Sequence, residues 1–505
     1  MMMIMKNIKT FLIAAAAVFA ISSCNLDKFP DNAINTEDAM ESVADCEAFR
    51  NGLYSGMKYC FTGGFVYNTD IQTDLYHAVK NFGNFSGSWY TYTVTASESM
   101  ASSAWFGLYG YIANANFLIE GTKKLLAAGT LNEEDTALVQ QYYGEACYIR
   151  AHMYYLLANY YCVDYDPDTA EDFMGVPVVL KYEPTGDSSK YPSRPNLQET
   201  YDQIVADLAE AETYVLTAGT PNSAYVTADV VAALQARVAL TMHDYDTALL
   251  KAKSIIDGGK YRLVSDPQAF ASGWLNDTLT ETIWQVAMTG PDDLGNAYSY
   301  FIYNTSGKAG EDSPRFVPED WVLDLYAKND IRYQAWFSNR DITTPVVGNL
   351  TLLVKYPGNP KLYSAVTNYV NMPKVFRVSE MYLIAAEAAA NRGEDIVASK
   401  YLNDLKVARI PDWERRDYTG DNLTVAIRNE RVIELYGEGH RLYDIKRWHI
   451  GFQRSAGQNP ELVMSGENYS GLKREADDPL FVWPIPTSEM QANPQMQQNP
   501  GYTNE

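Results

Sequence analysis

Residues 377–393 read Arg-Val-Ser-Glu-Met-Tyr-Leu-Ile-Ala-Ala-Glu-Ala-Ala-Ala-Asn-Arg-Gly. A helix is expected to start near Val378 and run through Ala385, Ala386, Glu387 and Ala388. The polar triplet Asn391-Arg392-Gly393 then turns the chain, and a second helix follows through Ala398, Leu402 and Leu405. Alanine at the contact between two such helices lets their backbones approach closely.

The same grammar appears earlier in the chain. Thr227 is an expected N-cap with Asp229 in the first turn, and a helix follows through Ala232, Ala233, Ala236 and Leu240. A polar turn at His243-Asp244 leads to a second helix through Ala248 and Ala252, stopped at Gly258-Gly259. These are helix pairs of the tetratricopeptide type in degenerate form. A helix over about 103–126 and another over 133–161 are expected to join the stack. The fold class is therefore mostly α: a scaffold of helix pairs interrupted by a long, loop-rich insertion. That insertion covers 262–375 and holds Trp274, Trp284, Tyr298, Tyr300, Tyr303, Trp321, Trp336, Tyr356 and Tyr363 among many Gly, Asn, Asp and Pro. Long loops on a rigid scaffold are where function usually sits.

Lys6 and Lys9 precede an uncharged, alanine-rich apolar stretch, Phe11 to Ile21, which is too short to span a bilayer and has the length of a signal-peptide core. It ends in Ile21-Ser22-Ser23-Cys24, small residues before a cysteine, as where a bacterial lipoprotein signal is cut and the new terminal cysteine acylated. The expected organisation is a signal peptide over 1–23, a lipidated tether over 24–36 and a single unit over 37–505. Within that unit, 37–261 is helical, 262–375 is the loop-rich candidate ligand region and 376–505 is the C-terminal part. Forty Lys and Arg against 63 Asp and Glu give a net charge of −23, which argues against a nucleic-acid partner. Cys147 and Cys162 stand at the two ends of one expected helix, too far apart to bridge. With Cys46 and Cys60 they read as buried free thiols, and no cysteine or histidine spacing suggests zinc.

Four separated stretches carry a more specific signal. The first is Cys24-Asn25-Leu26-Asp27 followed by Pro30; the second is Gly144-Glu145-Ala146 with Arg150, Ala151 and Tyr154, then Gly175-Val176-Pro177-Val178-Val179. The third joins residues 377–388 to Ile427-Arg428-Asn429-Glu430-Arg431, Glu434-Leu435, Glu438-Gly439-His440-Arg441, Asp444 and Arg447-Trp448. The fourth is Trp483-Pro484-Ile485-Pro486, Glu489, Asn493-Pro494 and Gln498-Asn499-Pro500-Gly501-Tyr502. In this order and over this length the set resembles the SusD/RagB family of Bacteroidota outer-membrane lipoproteins. The resemblance implies tetratricopeptide-like helix pairs and a lipid anchor at Cys24. It implies capture of a nutrient, most often a glycan, at the cell surface, and delivery to a SusC-like TonB-dependent transporter. It implies neither catalysis nor a cofactor.

The residues still have to be weighed one by one. Glu430, Glu434 and Glu438 are four apart and expected on one helix face, a spacing that invites a glycosidase acid-and-base reading. Interleaved Arg428, Arg431, Arg441 and Arg447 point instead to ion-paired, permanently charged carboxylates. Asp164, Asp166 and Asp168 alternate as in a calcium loop, but Thr169 stands at the glycine position and Gly175 at the closing glutamate, so a solvated acidic turn is expected. His440 reads as a hydrogen-bonded scaffold residue. No P-loop, nucleophile elbow or metalloprotease histidine pair is present. A sugar needs an aromatic platform flanked by polar side chains. Two loop regions offer one, and the expected ligand residues are Asp74, Trp89 and Tyr90 in the first, and Trp274, Tyr300 and Tyr303 in the second. Trp105, Trp284, Trp321, Trp336 and Trp448 are expected in the core. Rival readings are a peptide-binding member of the same family and a secreted glycoside hydrolase.

Overall fold

The helix Glu133–Tyr161 forms the axis of the fold, for reasons its sequence makes plain. Asn132 caps it, its side-chain oxygen accepting the Asp135 N–H at 2.8 Å, and Glu133, Glu134 and Asp135 complement the positive helix end. From Tyr142 to Tyr161 every residue is buried, as for a helix packed on all sides. Ser99–Ala128 and Leu197–Tyr214 pack on two of those sides. The computed structural model describes residues 39–288, 312–363 and 370–503. The signal segment, the tether with Cys24, and Tyr298, Tyr300 and Tyr303 lie outside the described residues.

The two alanine-rich pairs form where expected. Ala228–Thr241 is capped by Thr227, whose hydroxyl accepts the Val230 N–H at 3.4 Å. Tyr245–Asp257 is capped by Asp244, which accepts the Thr247 N–H at 3.0 Å. Val378–Asn391 and Asp395–Arg409 form the second pair, with Gly393 between them at a φ of 75°, a conformation that favours glycine. Ala233, Ala236, Ala248, Ala252, Ala385, Ala386, Ala388 and Ala398 are all fully buried where these helices meet. Small side chains here set the close approach that makes a stack.

The stretch expected to be irregular carries more order than its composition suggests. It contains the helix Pro267–Asn276, and a strand Thr282–Gln285 pairs antiparallel with Lys374–Arg377, Thr282 opposite Arg377. Because Lys374–Arg377 runs directly into the Val378 helix, this ladder staples the insertion to the scaffold. A hairpin of Phe337–Ile342 and Gly348–Leu353 pairs in full register. At the far end of the chain, Trp483 stacks on Tyr160 at 4.4 Å between ring centres, 19° from parallel, and donates its indole N–H to Gln72. Trp105, Trp284, Trp336 and Trp448 are buried, while Trp321 is half-exposed and donates to the Asp74 carbonyl.

Candidate functional site

Three carboxylates four residues apart are the first place to look for chemistry: Glu430 and Glu434 are sealed on the helix Gly420–Glu434, whereas Glu438, expected on the same helix face, lies in the turn beyond its end and is half-buried. Glu434, fully buried, is held by Arg377 at 2.5 Å, Arg409 at 2.9 Å and Arg332 at 2.9 Å. Glu430 takes Arg332 at 2.6 Å and Lys406. Glu438 takes Lys355 at 2.6 Å and Arg377 at 2.5 Å. Burial works against the charge, but the surrounding guanidinium and ammonium groups outweigh it and hold all three carboxyls below their ordinary range. Charged and enclosed, they form a structural network. The cations, however, are not the interleaved ones expected from the sequence. Arg431 pairs with Asp444, Arg441 with Asp74, and Arg447 with Glu387 and Asp444. Adjacent residues on a helix point about 100° apart, so Arg431 cannot share a face with Glu430. The real partners come from elements far away in sequence.

The aromatic platform residues land inside. Trp89 is 2% exposed and packs on Trp483 at 4.4 Å between ring centres. Tyr90 is fully buried under the Arg454 guanidinium, 3.5 Å from the ring centre. Trp274 is 2% exposed, edge-on to Trp336 at 5.5 Å, with Lys355 and Lys374 over its ring at 4.8 and 4.7 Å. Asp74 is buried and bidentate to Arg441. A stacking platform needs a free ring face, and none of these three rings has one. They pack the core, and Asp74 pins the C-terminal segment. Tyr300 and Tyr303 lie outside the described residues.

The loop that carries Trp89 nonetheless has an outer face with other credentials. Its base is fixed: strand Tyr76–Ala78 pairs with Phe316–Pro318, His77 bonds Glu319 at 2.8 Å, and the Val79 and Lys80 N–H groups donate to Arg315 and Leu462 carbonyls. Beyond that base, Asn81, Asn84, Ser86 and Tyr92 all adopt the left-handed conformation, with φ between 50° and 62°. Each such residue costs of order 1 kcal/mol and persists only where its surroundings enforce it. Asparagine tolerates this region best of these types. Gly87 is required beside them, because a β-carbon there would collide with the Asn84 carboxamide. The loop presents the exposed Asn81 and Asn84, and the half-buried Phe85 with the Arg315 guanidinium 4.1 Å from its ring centre. Asn81 also donates to the Pro345 carbonyl at 3.4 Å, joining the loop to the hairpin end. On the hairpin Ile342, Leu350 and Leu352 point inward, while Asn339 and Asp341 are exposed and Arg340 reaches the buried Asp312 at 3.3 Å. Planar amide and guanidinium groups beside one ring can hydrogen-bond hydroxyls and cover a C–H face. Phe85, Arg315 and Arg340 were not singled out in the sequence; the Asn-x-Gly-Asn run at 81–84 is the signal that marks the turn.

Two further expectations resolve here. Asp164, Asp166 and Asp168 do not converge: Asp166 accepts the Asp168 N–H in a local turn, whereas Asp164 meets His449 at 3.2 Å. His449 bridges Asp164 and Asp477, and the carboxylates raise its affinity for a proton despite partial burial. His440 makes no side-chain hydrogen bond among the described residues, contrary to expectation. It lines a cavity, and burial together with Arg237 and Arg431 pushes it well below its ordinary value.

Comparison with known proteins adds to this geometry. A sequence profile described as the SusD family matches residues 349–502, and one described as starch-binding, associating with the outer membrane, matches residues 25–240. SusD-like protein P38 of Formosa agariphila is 23% identical over 98% of this chain and 99% of its own length. Among solved structures, a SusD superfamily protein of Bacteroides thetaiotaomicron superposes with a TM-score of 0.77 at 26% identity, covering 91% of this chain and all of that one. A laminarin-binding SusD-like protein superposes with a TM-score of 0.68 at 20% identity, over 91% of this chain and 99% of the other.

Proposed function

Since the chain belongs to the SusD/RagB family, we propose that it is a surface lipoprotein, anchored through Cys24, that binds an oligo- or polysaccharide and delivers it to a SusC-like TonB-dependent outer-membrane transporter. It carries out no catalysis in this reading. The observation that carries it is the match of residues 25–240 to a profile described as starch-binding, associating with the outer membrane. The solved neighbour that binds laminarin supports the same ligand class. Two features of the chain agree. The spaced carboxylates that a hydrolase would need are consumed by buried cations. No helix among the described residues is long and apolar enough to cross a membrane, and the proposed anchor is the acylated Cys24.

The ligand surface in this reading is the strained loop of Asn81, Asn84 and Phe85 with Arg315 and Arg340. Tyr300 and Tyr303 are proposed as further contacts. Electrophoresis through native gels containing laminarin, starch or other glycans tests the proposal. Retardation by at least one glycan, with no released product, is the expected result. Sugar release would instead favour a hydrolase, and binding of peptides but no glycan would favour the peptide-capturing alternative.

A further inference from the structure

The helices Tyr245–Asp257, Val378–Asn391 and Gly420–Glu434 enclose, with Trp448, a cleft of about 230 Å³. Arg428 lines it. Among the described residues its guanidinium makes no hydrogen bond and no ion pair. It lies over Trp448, whose ring centre is 4.9 Å away. The same indole carries Arg447 at 4.8 Å, so two guanidinium groups share one ring.

The two arginines are not equivalent. Arg447 is neutralised by Glu387, at 2.5 and 2.8 Å, and by Asp444 at 2.9 Å. Glu387 is the one carboxylate lining the cleft, and its oxygens are already taken by Arg447 and by the Trp448 N–H at 2.7 Å. Arg428 is therefore half-buried beside another cation with no carboxylate of its own. Burial, with Arg447 nearby, holds its affinity for a proton below the ordinary value. A charge left in that state is one that an incoming anion would relieve. A guanidinium against an indole keeps its in-plane N–H fork, which matches a carboxylate in bidentate fashion.

The remaining walls suit a sugar ring. Asn391 and Thr424 are exposed at the cleft and offer neutral donors and acceptors for hydroxyls. His243, itself left-handed at a φ of 59°, lies parallel to Tyr245 at 5.8 Å and makes an aromatic side. The volume admits one six-membered ring rather than a chain. The net charge of −23 would repel anions from the molecule at large, so an arginine without an ion-pair partner in a cleft is a local device for selecting one.

We propose that this cleft is a second binding site, specific for a single carboxylate-bearing sugar such as a uronic acid, with Arg428 reading the carboxylate. The kind of ligand rests on the glycan-binding reading above; the anion preference rests on the cleft alone. Ligand-observed NMR on the full chain, in low salt, compares glucuronate, galacturonate and glucose. Uronates should bind with millimolar affinity, at least tenfold tighter than glucose, and Arg428→Gln should abolish the difference without moving the melting temperature. If that variant does not fold, Thr424→Phe, an exposed change that fills the cleft, should give the same loss. Unchanged uronate binding in the folded variant overturns the proposal. So does equal binding of acetate or inorganic sulfate, which would mean an adventitious ion only, or equal binding of an N-acetylated amino acid, which would assign the cleft to a peptide carboxyl terminus. Absence of uronate binding overturns it as well. Laminarin retardation by both proteins would then leave the earlier reading standing, whereas failure of every glycan would remove both.

Discussion

Glu434 sits at the centre of Arg332, Arg377 and Arg409, and all four side chains are buried. Removing the carboxylate would leave three guanidinium groups facing one another without it. Glu434→Ala should therefore destabilise the protein by about 3–5 kcal/mol, read as a lower melting temperature, while glycan affinity of the folded fraction stays near wild type. Asp70 presents the opposite case. It accepts the Gly439 N–H at 2.9 Å in a buried site, and burial pushes its carboxyl up to about 7. A folded value raised above the ordinary 3.8 means that the native state holds the proton more tightly than the unfolded chain does. Its contribution to stability is full below about pH 4 and is lost as the pH rises through 7. Relative to Asp70→Asn, which cannot ionise, the wild type should lose up to about 4 kcal/mol between pH 4 and pH 8, measurable from paired thermal melts. A flat difference across that range would show that Asp70 is ionised throughout.

At the level of elements, the sequence was most readable where a rule is local. The cap at Thr227, the glycine stop at Gly258-Gly259 and the turn at Gly393 each act within a few residues, and all three appear where the chain pattern puts them. The aromatic rings were not readable in the same way. Trp89, Tyr90 and Trp274 occur in polar, glycine-rich surroundings that suit a surface loop, yet their burial is decided by Trp483, Arg454 and Trp336, all far along the chain. The same holds for the partners of Glu430, Glu434 and Glu438: helix spacing gives Glu430 and Glu434 a shared face, but the helix stops at Glu434 and Glu438 lies in the turn beyond it, and spacing does not tell what faces any of them. The Asn81–Tyr92 loop carries a testable consequence. Gly87→Ala must displace the Asn84 side chain. It should weaken glycan binding several-fold while costing only about 1–2 kcal/mol of stability, because the change falls at the rim of the core. Calorimetry and melting on one preparation separate the two effects, and full affinity in a folded variant would move the ligand surface elsewhere.

For the whole molecule, the anchor is the first thing to test. Cys24→Ala should abolish acylation and move the protein from the membrane fraction to the soluble one; persistence in membranes after a salt wash would contradict lipidation at that residue. The Trp483 side chain is wedged against Trp89 and Tyr160 and bonded to Gln72, 411 positions away along the chain. The core of the first half thus waits for a ring supplied near the very end of the chain. Contacts this distant in sequence slow folding, since the loop must close before they can contribute. A chain whose last residues are not yet in place holds an unfilled slot where Trp483 belongs, with Trp89 and Tyr160 open to whatever else is nearby. That interval is when a chaperone has something to hold.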